Sequence, residues 1–249
     1  NSGVLEMAAG RSHYCLLFSD GRVACSGSND SGQLGRAAEP PNDGSLQVVD
    51  GVSEVTKIAL GGDQSCALLR SGQVTCWGAR PDHNPAQGDA PVEARILEGL
   101  GEVISLSVGA QHLCAIDTSY TARCLGDNTH RQIDLSNITR RSITTLEPLG
   151  IGLEYRAIHA SLYGTCAIDN SGHVYCWGMT DTQNYAAPTQ VPSLESVVRL
   201  IPGSMAHHRC AQTEDESLHC WGVDTLGQLG RGVYEPGEFL AASQRVDLE

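Results

Sequence analysis

Ten cysteines fall into five pairs, and in each pair the second member lies ten residues after the first: Cys15/Cys25, Cys66/Cys76, Cys114/Cys124, Cys166/Cys176 and Cys210/Cys220. No cysteine is left over, so the chemistry on offer is disulfide formation. A zinc reading fails on spacing, since nothing resembles two close cysteine pairs. His13, His112 and His208 precede their cysteines by two residues, with Gln64 and Gly164 in the other two places. Imidazoles ringed around an axis could ligate a metal; a histidine bonded to backbone at a strand start is the simpler reading. His207-His208-Arg209 is the densest basic spot and reads as a solvated strand end. Glu214-Asp215-Glu216 and Asp181 lack the spacing of a calcium loop. No nucleophile elbow, phosphate loop or zinc-protease helix is present. Catalysis needs different residues converging once, whereas a repeat supplies the same residue many times. The chain therefore reads as a non-enzyme with no cofactor.

The cysteine pairs require an element that brings residues ten apart face to face. In CLLFSDGRVAC, two runs of strand composition flank Ser19-Asp20-Gly21, which predicts a hairpin with a three-residue loop. Centring it on Asp20 pairs Cys15 with Cys25 at a non-hydrogen-bonded site, where Cα atoms approach to about 4.5 Å, within disulfide range. Gly72 and Gly172 keep the turn glycine; Tyr120 and Glu216 replace it, so those turns are expected to be strained or of another type. Alternation puts Leu17 and Val23 on the cysteine face, and Ala67, Ala115, Ala167 and Ala211 on the other. Both faces are apolar, as in a sheet covered on both sides.

Short apolar runs precede each hairpin (VLEMAAG, VTKIALGG, VISLSVGA, YRAIHAS, VVRLIPG), and a fourth set lies further upstream (LQVVDGV, ARILEGL, TQVPSL, and SQRVDLE at the end). First cysteines are 51, 48, 52 and 44 residues apart. Four strands in each such unit predict an all-β, five-bladed β-propeller of four-stranded antiparallel blades, one domain over 1–249. The chain ends complement one another, so Gln244 to Leu248 is expected to share a blade with Val4 to Ala9 and close the ring. An arc of a longer ring is the competing reading.

Trp77-Gly78, Trp177-Gly178 and Trp221-Gly222 follow the second cysteines, and GSNDSGQLG (Gly27 to Gly35) and GVDTLGQLG (Gly222 to Gly230) continue the first and last units. With Gly10 and His13, these resemble the repeat of the regulator of chromosome condensation family across essentially the whole chain. The third unit keeps a worn form, GDNTHRQID. The best-known members have seven blades, and this chain supplies five. The cysteine-bearing version is more similar to the ectodomains of crinkly-type plant receptor kinases and to secreted bacterial proteins than to the nuclear regulator. The family spans nucleotide exchange on a small GTPase, chromatin binding and inhibition of β-lactamases, so the resemblance implies a fold and no particular activity.

Lys plus Arg number 16 against 29 Asp plus Glu, for a formal charge of −13, which disfavours nucleic acid as a partner. Ten paired cysteines indicate an oxidising compartment, and the protein is expected to be secreted or extracellular, without membrane insertion. Each bridge closes a short loop, for an upper figure of about 2.7 kcal/mol. Asn1 is expected to be a mature or excised end, and Asn29-Asp30-Ser31 and Asn137-Ile138-Thr139 match the pattern for N-glycosylation.

The repeats disagree over Trp77 to Pro91, Asp127 to Arg141, Met179 to Pro188 and Leu229 to Ala242. These are expected on the rims, where Tyr185, Tyr234 and Phe239 are the candidate partner-binding aromatics. The leading functional expectation is a protein-binding propeller acting as inhibitor, receptor ectodomain or part of an extracellular assembly. The alternative is a lectin or small-molecule binder with pockets between blades, which should repeat one polar and aromatic set in most units.

Overall fold

The computed structural model describes residues 3–36, 44–79, 94–134, 139–149, 152–179, 184–201, 203, 207–230 and 239–246. Among these, all regular structure is strand, and no helix is long and apolar enough to cross a membrane. Twenty strands form five antiparallel four-stranded sheets, each in simple meander order. The first blade holds β1 (Val4–Ala9), β2 (His13–Phe18), β3 (Val23–Gly27) and β4 (Gln47–Val48). The second holds β5 (Val55–Gly61), β6 (Gln64–Leu69), β7 (Val74–Gly78) and β8 (Arg95–Ile96). The third comprises β9 (Val103–Val108), β10 (His112–Asp117), β11 (Ala122–Asp127) and β12 (Ser142–Pro148). The fourth comprises β13 (Tyr155–Ala160), β14 (Gly164–Asp169), β15 (Val174–Met179) and β16 (Asn184–Gln190). The fifth is β17 (Val197–Ile201), β18 (His208–Thr213), β19 (Leu218–Val223) and β20 (Phe239–Arg245).

The hairpin register is the expected one. Cys15 pairs with Cys25 and Leu17 with Val23, and the same pairing recurs in every blade. The bridges Cys15–Cys25, Cys66–Cys76, Cys114–Cys124, Cys166–Cys176 and Cys210–Cys220 all form within their own hairpins. Their Cα atoms are 4.1 Å apart in each case, slightly closer than the expected spacing of about 4.5 Å for such a strand pair. The loops adopt positive φ at Gly21, Gly72 and Gly172, and Tyr120 and Glu216 take the same conformation at φ 60° and 65°. Those two turns keep the loop type and carry the strain of a side chain in the left-handed region.

Blades pack in sequence, the cysteine face of one against the alanine face of the next. Cys15, Leu17, Val23 and Cys25 meet Ile58, Ala67 and Trp77. Cys66 and Cys76 meet Leu106 and Ala115, and Cys114 and Cys124 meet Ile158, Ala167 and Trp177. Cys166, Ile168, Val174 and Cys176 meet Ala211 and Trp221 in the same way. The small alanine makes room for the neighbour's disulfide, and the indole two strands along fills the rest of the interface. In the third blade Leu125 takes the place of the tryptophan. The sulfurs of Cys76 and Cys124 are thus enclosed between blades, where they hold the frame and offer no surface to a partner.

The blade frame differs from the expectation of a blade shared by both chain ends. β20 pairs with β19, Gln244 opposite Cys220 and Arg245 opposite His219, and so completes the fifth blade. Likewise β4 pairs with β3. Each upstream run is therefore the outer strand of the preceding blade, because a meander adds its next strand to the free edge of the last one. β1 is the inner strand of a blade of its own. Its outward face is uncovered among the described residues. Met7 is 68% exposed and Val4 54%, whereas Ile58 and Val55, their counterparts on β5, are 2% and 4%.

Candidate functional site

The histidines before the cysteines have a structural partner. His13 Nε2 lies 2.8 Å from Ser65 Oγ on the next blade. Ser65 Oγ in turn donates to the Gln33 carbonyl at 2.9 Å, which also accepts from Trp77 Nε1 at 2.9 Å. With the serine proton committed to Gln33, His13 must be the donor, so its proton is on Nε2. The third and fourth blades repeat the arrangement: His112 with Thr165 at 3.0 Å, and Gln132 O with Thr165 Oγ1 and Trp177 Nε1 at 2.9 and 3.0 Å. Burial holds the His13 and His112 imidazoles well below their ordinary range, at about 4. Gly10 is required here, since a Cβ would lie 2.2 Å from His13 Cε1. These imidazoles are inter-blade clasps. His208, their counterpart in the fifth blade, is half-buried and borders the axial cavity described below. Among the described residues, no three His, Cys, Asp or Glu side chains converge as metal ligands.

The loop that supplies the clasp carbonyl is built by the motif itself. Asn29 Oδ1 accepts from Leu34 N at 2.9 Å and its Nδ2 donates to Arg36 O at 3.1 Å. Asn128 does the same with Ile133 N and Asp134 O, and Asp224 accepts from Leu229 N. Asn29 is only 2% exposed, which corrects its assignment as a glycan acceptor: a buried, engaged amide is not presented for modification. Asn137 lies outside the described residues, as do Asp181 and Tyr234. Tyr185 falls on β16 and Phe239 on β20, so both belong to outer strands. Asp215 is a turn residue, accepting from Ser217 N and Ser217 Oγ.

Connections between first and second strands share a rim with those between third and fourth strands, because successive strands of a meander alternate in direction. On that rim His130, Tyr163 and His207, from three successive blades, form a row with ring centroids 4.5 and 5.9 Å apart. All three are half-buried. Nothing in the repeat pattern marks them, since each occurs in one unit only.

Around the axis the inner strands frame one cavity of about 720 Å³. Every inner strand slips by one residue near its start. The first residue in register after the slip is Glu6, Lys57, Ser105, Ala157 or Arg199, and these five make one tier of the lining. The next tier includes Ser107 and His159. Burial, with Arg209, His112 and Lys57 nearby, lowers the His159 imidazole to about 3. Lys57 is the sole lysine of the chain, a signal countable in the sequence.

A family model described as the regulator of chromosome condensation (RCC1) repeat matches residues 4–33 and 55–82. Protein pim1 of Schizosaccharomyces pombe is 29% identical over 262 residues, covering 92% of this chain and 48% of its own length. The chain thus spans about half the length of this curated relative. Among solved structures, human WBSCR16 superposes with a TM-score of 0.86 at 22% identity, over 99% of this chain and 68% of that one. Prp20p of Saccharomyces cerevisiae gives 0.79 at 18% identity, over 98% and 65%. At these identities the structures speak to the fold.

Proposed function

We propose that this chain, built of repeats of the regulator of chromosome condensation family, is a non-enzymatic scaffold that binds another protein through one rim, in an extracellular or other oxidising compartment. The observation that carries the reading is where the repeats vary. The connection between second and third strands is four residues long in every blade, while that between third and fourth runs from 4 to 19. Connections between first and second strands vary less, from 2 to 6 residues, and share that rim, so the variation concentrates on one rim of a clasped, bridged frame, as a recognition surface needs. The His130, Tyr163 and His207 row lies on the same rim, and ring-bearing side chains of this kind anchor interfaces. Prp20p is described by its binding to Gsp1p and histones, which supports protein binding as one use of the fold. Five intra-hairpin bridges support the oxidising compartment. The formal charge of −13 favours a partner with a basic face, whose association slows as salt rises.

The test is capture of partners from the native extracellular fluid by the immobilised full chain, followed by affinity measurement with the purified partner. Tyr163→Ala, and alanine at Tyr234 and Phe239, should each weaken binding with melting nearly unchanged. Capture indifferent to all three would sink the reading.

A further inference from the structure

We propose that the axial cavity binds a small organic oxyanion, a carboxylate or a phosphate monoester, with Lys57 as its anchoring cation. The proposal concerns the axis and stands independently of rim binding. Lys57 projects from the inner-strand tier, borders the cavity, and its side chain makes no ion pair or hydrogen bond among the described residues. A chain with 29 acidic residues has thus placed its single lysine at the axis, without an ion-pair partner among the described residues. The neighbouring strand adds oriented hydroxyls. Gly203 N donates to His159 Nε2 at 3.3 Å, so the imidazole carries its proton on Nδ1, which lies 3.4 Å from Ser107 Oγ. Ser107 Oγ also accepts from Ala160 N at 2.9 Å. With two donors pointing at its oxygen, Ser107 has its own proton left to give, and it lines the cavity. Ser105 Oγ likewise accepts from Ile158 N, at 3.3 Å, and lines the cavity one tier away.

An ammonium and two hydroxyl donors therefore line one side of the cavity, a donor set suited to an oxyanion. Glu6, the carboxylate of the same tier, accepts from Ile58 N at 3.1 Å through Oε2. Arg199 borders the far side and bonds Gln212. Leu60, Leu106, Ile158 and Leu200 supply apolar wall for the body of the ligand. A volume of about 720 Å³ is in the range of small-molecule sites.

The single lysine makes the test specific. The full chain is acetylated with an amine-directed ester in the presence of benzoate, phenyl phosphate or benzyl alcohol, and Lys57 modification is read by peptide mass against the N-terminal amine. At least one anion should slow acetylation of Lys57 several-fold relative to the N-terminus, and benzyl alcohol, of the same shape without charge, should not. Benzoate acting alone assigns a carboxylate ligand; phenyl phosphate acting alone assigns a phosphate monoester. In calorimetry, Lys57→Met should weaken the effective anion at least tenfold and Lys57→Arg should keep most of the affinity. The proposal is overturned if neither anion protects, if benzyl alcohol protects equally, or if Lys57→Met binds as well as the parent. The protection assay needs no variant, so it decides the matter even where a variant fails to fold.

Discussion

His13, His112 and His159 are buried neutral, and that gives the protein an acid liability. Their folded pKa values, about 4, 4 and 3, lie below the unfolded value of 6.5. Below that unfolded value the unfolded chain binds protons that the folded chain refuses, so stability is lost as pH falls. Down to about pH 5 the loss should be about 2 kcal/mol per histidine, with more lost towards pH 4. Urea unfolding from about pH 7.5 downwards measures it, and His112→Gln should flatten the profile by one histidine's share. A profile flat down to about pH 5 would contradict neutral burial. Within the clasp, Ser65→Ala leaves the His13 Nε2–H without its acceptor and should cost about 1–3 kcal/mol in unfolding experiments. The sequence marked His13 and His112 by position, but their partners Ser65 and Thr165 are contributed by the next repeat, so their role was hidden in any one unit. Lys57 was hidden for the opposite reason: it breaks the pattern once, and a repeat search looks for what recurs.

At the scale of the element, the hairpin was the most legible part of the chain. Ten-residue cysteine spacing, a three-residue turn and period-two alternation all fix one register, and Cys15–Cys25 and its four counterparts have it. The turns also test a local cost. Tyr120 and Glu216 hold positive φ where other blades have glycine. Tyr120→Gly removes left-handed strain of about 1–2 kcal/mol and adds about 0.5–1 kcal/mol of backbone entropy. A net gain of up to about 1.5 kcal/mol in thermal or urea unfolding is expected; a loss would mean the tyrosine ring contributes more than its backbone costs. Assigning outer strands from sequence failed because β4 and β8 are two residues long and carry no period that says which neighbour they join. Asn29 failed differently, since a sequon contains no record of whether its amide is already spent closing a loop.

Across the whole molecule, five sheets packed in series were legible from the repeat, while the way the series ends was not. Residues of β1 that face a preceding blade elsewhere face solvent here, Met7 above all at 68% exposed. Met7→Ser should therefore shift stability by no more than about 0.5 kcal/mol, against about 2–5 kcal/mol for Leu17→Ala on the packed face of the same blade. A large loss from Met7→Ser would show that this face is covered. The central claim is that each repeat folds as its own bridged blade in an oxidising compartment, leaving the connections and the axis for recognition. Protein taken from its native source, with thiols trapped by an alkylating agent before unfolding and digested without reduction, tests this most directly. The predicted result is no free thiol and five peptides, each linking cysteines ten residues apart. Alkylated cysteines in the native protein, or one bridge joining two repeats, would contradict it.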